Sequence, residues 1–91
     1  MSMNFTDDDP GFRRWRDMHP DGFIVNHERE PKPRYLKLHR STCPTFRGAL
    51  PGHGDNWTTA YAKTCGDVLS ELQRWAATIG GPLDPCPTCA P

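Results

Sequence analysis

Two cysteines stand three positions apart in a proline-rich segment near the C-terminus, Pro85-Cys86-Pro87-Thr88-Cys89. A C-x2-C loop brings two thiolates close enough to bind one tetrahedral metal ion with little strain. The two prolines restrict the free chain, so less conformational entropy is lost when a metal binds. A redox pair of this spacing usually begins a helix within a βαβ unit, and the surrounding pattern indicates no such unit. The segment therefore predicts half of a metal site.

The chain is poor in apolar residues for its size. Only 35% of its 91 residues are hydrophobic, and ten prolines and eight glycines interrupt regular structure. A domain of this length buries a limited core, and small natural domains often add a metal or disulfides. Three Trp, four Phe and two Tyr nevertheless argue against disorder. We expect one small domain that its cysteines stabilise.

The N-terminal sequence has neither the basic start nor the apolar run of a signal peptide. No stretch approaches the roughly 18–20 apolar residues that a membrane-spanning helix requires. We therefore expect a cytoplasmic protein without a membrane partner. Thiols stay reduced in that compartment, which favours metal ligation over disulfides.

Three further residues can supply the second half of the site. His39 and Cys43 lie four apart where a predicted strand ends and the chain turns at Pro44, so their side chains can converge. Cys65 lies at the start of a predicted helix, where a thiolate is electrostatically favoured. Spacing alone leaves open whether His39 or Cys65 completes the set with the other three cysteines. The remaining histidines have no partner at ligand spacing, so surface positions are predicted for His19, His27 and His53.

Alternating and β-branched runs predict a small antiparallel sheet. Residues 23–25 form a short β-type run, and residues 34–39 alternate between apolar and polar side chains. These two runs predict a hairpin, and residues 57–63 suit a third strand. Residues 44–56 are rich in glycine and proline and predict a surface loop.

One later segment has helical periodicity. Its apolar residues recur at helical spacing and predict the main helix over about 65–79, with Thr64 as its cap and Gly80 at its end. This helix is predicted to pack on the sheet through Leu72 and Trp75.

Residues 1–11 are polar and acidic and predict a disordered tail, which leaves residues 12–91 as the single zinc-binding domain. Phe12 and Trp15 suit the apolar side of a short helical turn that Asp9 would cap. The predicted fold class is α+β, with a two- or three-stranded antiparallel sheet and one main helix. A metal ion would join the strand end to the C-terminal loop.

Positive charge is concentrated in the middle of a chain whose net charge is zero. Residues 13–47 hold nine Lys and Arg against four Asp and Glu. A basic region can face a phosphate backbone, whereas the simpler interpretation is ordinary solvated charge. The residues predicted to contact nucleic acid are Arg13, Arg14, Arg16, Arg34, Lys37, Arg40 and Arg47.

Three segments carry a family resemblance: Leu38-His39-Arg40-Ser41-Thr42-Cys43-Pro44, the strand–helix run from Tyr61 to Trp75, and Pro85-Cys86-Pro87-Thr88-Cys89-Ala90-Pro91. Together they resemble the zinc-binding domain at the N-terminus of Ada-type DNA alkylation-repair proteins. That family has, roughly, a strand ending in C-R-P-S-C-P, a second strand, a short helix and P-C-x-x-C-x-P. The resemblance covers about residues 34–91. It implies one Zn²⁺ ion with the ligands His39, Cys43, Cys86 and Cys89.

The chain departs from that family at the first ligand. Where Ada-type domains carry the cysteine that accepts the methyl group, this sequence has His39. Imidazole binds zinc well but is not the zinc-activated thiolate that attacks a methyl phosphotriester. The resemblance therefore implies a non-catalytic zinc module that contacts nucleic acid in a DNA-defence, phage or repair setting. The alternative is a structural or protein-interaction module, and an enzyme would need Cys65 as a free nucleophile.

Overall fold

A computed structural model describes residues 2–46, 57–89 and 91, and these form a mixed five-stranded sheet with two helices. The strand order across the sheet is β1-β4-β2-β3-β5, and each neighbouring pair is antiparallel except the parallel pair β3–β5. A single 3-10 turn, Pro44–Phe46, follows β3. In chain order the elements are β1 (Met3–Phe5), α1 (Asp9–Met18), β2 (Phe23–Glu28), β3 (Leu36–Arg40), β4 (Tyr61–Gly66), α2 (Leu69–Ile79) and β5 (Asp84–Pro85).

The α+β class is confirmed, but the sheet is larger than the sequence predicted. The predicted hairpin is β2 paired with β3, and the predicted third strand is β4, displaced towards residue 66. The two unpredicted strands are the edges: β1 has three residues and β5 has two. Strands this short are too brief to show an alternation of apolar and polar residues. They are strands only because they form hydrogen bonds with strands far along the chain.

The helices lie on opposite faces of the sheet. Successive residues of a strand point to opposite faces, and the neighbours Ile24 and Val25 of β2 belong to two different buried clusters. The α1-side core consists of Phe5, Phe12, Trp15, Ile24, Cys43, Phe46, Trp57, Cys65 and Cys86. The α2-side core consists of Val25, Leu36, Leu38, Leu72 and Ala76.

In the segment predicted as a disordered tail, residues 1–11, the described residues 2–11 include the strand β1 and the first residues of α1. Met3–Phe5 pairs with β4, and the Asp7 carboxylate accepts two hydrogen bonds from Arg29, at 2.7 and 2.6 Å. Asp8, not Asp9, caps α1 by accepting the Gly11 N–H at 3.0 Å. Consecutive acidic residues normally indicate a solvated tail, but here the carboxylates of Asp7 and Asp9 have partners from distant parts of the chain.

The helix α2 begins at Leu69, so the predicted start at residue 65 was wrong. Cys65 still belongs to β4, where it lies opposite Ile24 of β2. Val68 is the extended residue before the helix, and its side chain makes no capping hydrogen bond. The end is as predicted, because Gly80 adopts a left-handed conformation with φ 97°.

Within the described residues, no helix has the length and apolar character needed to cross a membrane. Most of the predicted 44–56 loop lies outside these residues, as do Arg47 and His53. His27 was predicted at the surface but is fully buried. Its ring packs against Trp75 of α2 at 5.0 Å, and its two nitrogens bond to the Glu28 carbonyl and the Thr64 hydroxyl.

Candidate metal centre

Four side chains converge at the edge of the sheet beside β3, on the face covered by α1. They offer one nitrogen and three sulfur atoms, which all lie within 4.8 Å of one another. A tetrahedral ion with bonds of about 2.0–2.3 Å keeps its ligand atoms roughly 3.5–3.8 Å apart, so a small contraction suffices to bind one. We call this group the Cys3His centre; its members are His39, Cys43, Cys86 and Cys89.

The strand β3 and the turn after it position the first two ligands. His39 lies opposite Ile24 in the sheet, so its ring points into the α1-side core. The ring of Phe46 packs edge-on against it, with centroids 4.8 Å apart. The chain then turns back, because the Cys43 N–H donates to the Arg40 carbonyl at 2.9 Å. This turn brings the fully buried Cys43 thiol beside the imidazole.

The C-terminal segment 84–89, which we call the knuckle, supplies the other two ligands. It runs alongside β3: Asp84–Pro85 pairs with that strand, and the Cys86 N–H donates to the Leu38 carbonyl at 2.8 Å. Further along, the Arg40 N–H donates to the Cys89 sulfur at 3.3 Å. The Arg40 side chain also donates through Nε to the Cys89 carbonyl at 3.2 Å. The knuckle therefore covers the outer edge of β3 while presenting both thiols.

His39 is in the chemical state that a metal requires. Burial lowers the pKa of its imidazole to about 4, and the positive charges of Lys37 and Lys63 add to that effect. The ring is therefore neutral at pH 7 and has a free lone pair. Among the described residues its buried Nδ1 has no hydrogen-bond partner. A metal ion would satisfy this nitrogen, which otherwise costs the free energy of an unpaired buried polar atom.

The sulfurs of the centre lie so close together that negative charge on one disfavours negative charge on its neighbour. The pKa of the Cys89 thiol is raised to about 11. Burial is the main cause, and the neighbouring Cys43 and Cys86 sulfurs add to it, whereas the hydrogen bond from the Arg40 N–H lowers the pKa. For Cys86, burial also favours the thiol, but N–H groups of Cys89 and Thr88 outweigh it and hold the pKa below its usual value. A divalent cation would relieve this repulsion and stabilise all three thiolates.

Cys65 lies apart from the centre. It shares the α1 face with His39, but Ile24 of the intervening strand β2 separates them. Two strand spacings amount to about 9–10 Å, too far for a shared ion. The thiol is fully buried and burial raises its pKa. The geometry thus favours the set with His39 over the all-cysteine alternative.

The described members of the predicted nucleic-acid set differ in exposure and in their partners. Arg16 is only 14% exposed and donates to the Phe46 carbonyl at 2.6 Å. Lys37 pairs with Asp84 and Arg34 with Glu28. Arg40 and Arg14 are exposed, Arg13 is half-buried near Asp9, and Arg47 lies outside the described residues.

Sequence reasoning missed the long-range contacts of two charged residues, Lys63 and Asp9, near the centre. Lys63 is buried above the Phe12 ring and donates to the Trp57 carbonyl, and burial lowers its pKa to about 8. Asp9 accepts the N–H groups of Trp57 and Thr58. The contact of Asp9 has no local sequence signal because its partner Trp57 lies 48 positions away. The burial of Lys63 depends on the packing of β4 over Phe12, which local sequence does not indicate.

No protein-family model, curated protein or solved structure matches this chain. The resemblance to Ada-type domains therefore stays a prediction from three sequence segments, and the Cys3His centre is the observation on which function is argued.

Proposed function

We propose that this protein is a non-catalytic zinc-binding module in which one Zn²⁺ ion joins β3 to the knuckle. The observation that carries this proposal is the convergence of four ligand atoms from two distant segments. Thiolates favour zinc, copper(I) and iron–sulfur clusters, and a set of three cysteines and one histidine is typical of structural zinc. The neutral ring of His39, whose buried Nδ1 has no hydrogen-bond partner in the described part of the chain, fits the same ion.

Two features support a structural role over a catalytic one. Four protein ligands occupy every coordination position of a tetrahedral ion, whereas catalytic zinc keeps one position for water or substrate. Three of the four ligands are buried, and Cys89 is half-buried. The ion's role would then be to stabilise the α1 side of the fold, because the site forms only when the distant segments meet.

The test is native mass spectrometry with metal analysis. We expect one zinc per chain in the wild type and its loss in His39→Ala, Cys43→Ala and Cys86→Ala. Cys65→Ala is the matched control, because it removes a buried thiol on the same face outside the centre, and it should keep zinc. A folded wild type without metal would overturn the proposal. Zinc loss from Cys65→Ala together with retention by His39→Ala would favour the all-cysteine site.

We propose further that the basic surface beside the centre contacts nucleic-acid phosphates. The observation favouring this function is the exposed Arg40, which donates to the Cys89 carbonyl of the knuckle beside the centre, together with the exposed Arg14 on α1. The ion pairs of Lys37 and Arg34 do not oppose it strongly, since exposed pairs contribute only about 0–1 kcal/mol and can yield to phosphate. The repair, phage or DNA-defence setting follows from the Ada resemblance alone.

Titration of labelled duplex and single-stranded DNA at about 50 mM salt tests this second proposal. We expect weak binding that falls steeply with added salt and depends little on sequence. Arg14→Glu should weaken it, whereas Arg74→Glu, an equivalent exposed charge on α2 across the sheet, should not. No binding at low salt, or equal losses in both variants, would instead favour a structural or protein-interaction module.

A further inference from the structure

The three sulfurs of the Cys3His centre differ in exposure. Cys43 is fully buried and Cys86 is 6% exposed, whereas Cys89 is half-buried. Of the three residues Cys89 is the most exposed, so we expect an oxidant to reach the centre there first. Reaction with an oxidant requires both thiolate character and access. A bound divalent metal would supply the thiolate character to all three sulfurs, so access decides among them.

Cys89 also has the contacts needed for a second step. Its sulfur lies within 4.8 Å of the sulfurs of Cys86 and Cys43. Cys86 lies in the same short loop, so the two sulfurs can approach one another by rotation within the knuckle. Pairing with Cys43 would require the knuckle to move relative to β3.

We propose that the Cys3His centre is a redox-sensitive site, in which a peroxide oxidises Cys89, a Cys86–Cys89 disulfide forms and the metal leaves. This inference rests on the proposed metal binding. In the first step the Cys89 thiolate attacks a peroxide oxygen; the S–O bond forms, the O–O bond breaks and hydroxide leaves. In the second step the Cys86 thiolate attacks the sulfenic sulfur; the S–S bond forms and a second hydroxide leaves. Two thiolates lose two electrons in total, and the peroxide accepts both.

The consequence would be confined to one part of the fold. The oxidised knuckle loses the metal and the thiolate that accepts the Arg40 N–H. It keeps the β3–β5 pairing, the Cys86–Leu38 backbone bond, the bond from Arg40 Nε to the Cys89 carbonyl and the Lys37–Asp84 ion pair. The outer edge of β3 and the rings of His39 and Phe46 would then gain exposure. The α2-side core contains none of the ligands and would persist. Cys65 is buried two strands away and would stay reduced.

The test exposes the zinc-loaded full chain to hydrogen peroxide while a chromogenic indicator records free zinc. We expect one zinc to be released as the thiol count falls from four to two, and dithiothreitol with added zinc to restore the starting state. Peptide mapping should find a Cys86–Cys89 disulfide and, early in the reaction, a sulfenate-trapping probe on Cys89. A first adduct on Cys43 or Cys86, or a disulfide that includes Cys43 or Cys65, overturns the inference.

Variants separate this inference from simple loss of the site. Cys89→His keeps four potential ligands without the accessible sulfur, and its zinc release should be slower by about tenfold or more. Cys65→Ala should release zinc at the wild-type rate. If Cys89→His binds no zinc, the trapping experiment on the wild type decides alone. Absence of zinc before oxidation would refute the proposed function, whereas zinc that stays bound through peroxide treatment would refute only the redox site.

Discussion

The two faces of the sheet carry cores of different chemistry. The α2-side core is aliphatic, and its residues come from β2, β3 and one regular helix. The α1-side core consists mainly of aromatic rings and cysteines drawn from β1, α1, the 3-10 turn, β4 and the knuckle. It also adjoins the buried polar side chains of His39, Ser41 and Lys63. One face therefore resembles an ordinary small core, whereas the other brings many distant segments together.

This difference indicates on which face a bound metal would contribute most to stability. Each distant segment that is ordered costs conformational entropy, and aromatic contacts alone offset it poorly in so short a chain. On the α2 side a single amphipathic helix supplies two fully or nearly fully buried residues, Leu72 and Ala76. On the α1 side, two of the cysteines in the core are also candidate ligands. We expect the α1 side to depend on the metal and the α2 side to depend on it less.

Metal removal should produce the largest effect. Structural zinc in finger peptides contributes on the order of 10–16 kcal/mol, far more than any single contact. With a chelator, hydrogen exchange should show complete loss of protection in β3 and the knuckle. The β2–β4 pair and α2 should retain measurable protection. Uniform loss on both faces would show that the two cores form one cooperative unit, and unchanged exchange would show that the metal stabilises neither.

Core truncations on the two faces should differ in their dependence on zinc. Phe12→Ala removes a ring that contacts Phe5, Phe46 and Trp57, and Leu72→Ala opens the α2-side core. Each should cost about 2–5 kcal/mol in the zinc-loaded protein.

In the zinc-free protein only Leu72→Ala should keep most of its effect, because the α1-side core would already be loose. Denaturant titrations with and without zinc, followed by circular dichroism, measure both values. Equal losses of stability for the two variants in the zinc-free protein would contradict the distinction between the faces.

Loss of the hydrogen bonds that Asp9 accepts from Trp57 and Thr58 should have an intermediate effect on stability. Burial opposes ionisation of its carboxyl, but hydrogen bonds from the Thr58 hydroxyl and from the N–H groups of Trp57 and Thr58 outweigh it and lower the pKa. Because the folded pKa is depressed, this contribution is present above the unfolded value near 3.8 and is lost as the pH falls through the folded value.

Asp9→Asn should therefore lower the free energy of unfolding at pH 7 by about 1–3 kcal/mol. Asp21→Asn, at an exposed acid after α1, is the control and should change it by less than about 0.5 kcal/mol. Thermal and denaturant unfolding at pH 7 compare the two. Equal effects would mean that Asp9 does not hold the segment at Trp57.

The smallest effect should be the pH dependence of stability that His27 causes on the α2 side of the sheet. Burial lowers the pKa of His27. The hydrogen bond to the Glu28 carbonyl raises the pKa in part, and the positive charge of Lys63 lowers it further. The folded state therefore favours neutral His27, so stability is present above the unfolded pKa near 6.5 and declines as the pH falls below it. One proton contributes a slope of at most about 1.4 kcal/mol per pH unit.

His27→Gln should flatten the stability profile between pH 6.5 and 5 relative to the wild type. Thr64→Ser keeps the hydroxyl that bonds the ring and should retain the wild-type slope. Parallel profiles for the wild type and His27→Gln would show that His27 does not titrate on unfolding.

Local patterns predicted the parts of this fold that depend on local chemistry. The β2–β3 hairpin and the helix ending at Gly80 follow from alternation, helical periodicity and glycine conformation. The start of α2 was wrong because Cys65 and Gly66 are paired with β2, and that pairing overrides a capping pattern. The sequence did not predict the contacts of Asp7 and Asp9, because their partners Arg29 and Thr58 lie far along the chain.

The sequence by itself determined which ligands are available: a C-x2-C pair held between prolines, and a histidine and a cysteine four apart at a strand end. Those spacings bring each pair together without help from the rest of the chain. Only the tertiary structure decided how the pairs combine, because the distance between them depends on sheet order and register. β2 separates Cys65 from His39, while β5 runs parallel to β3 and carries the knuckle to the same edge. Ligand chemistry is local, but the closure of a metal site is a property of the whole sheet.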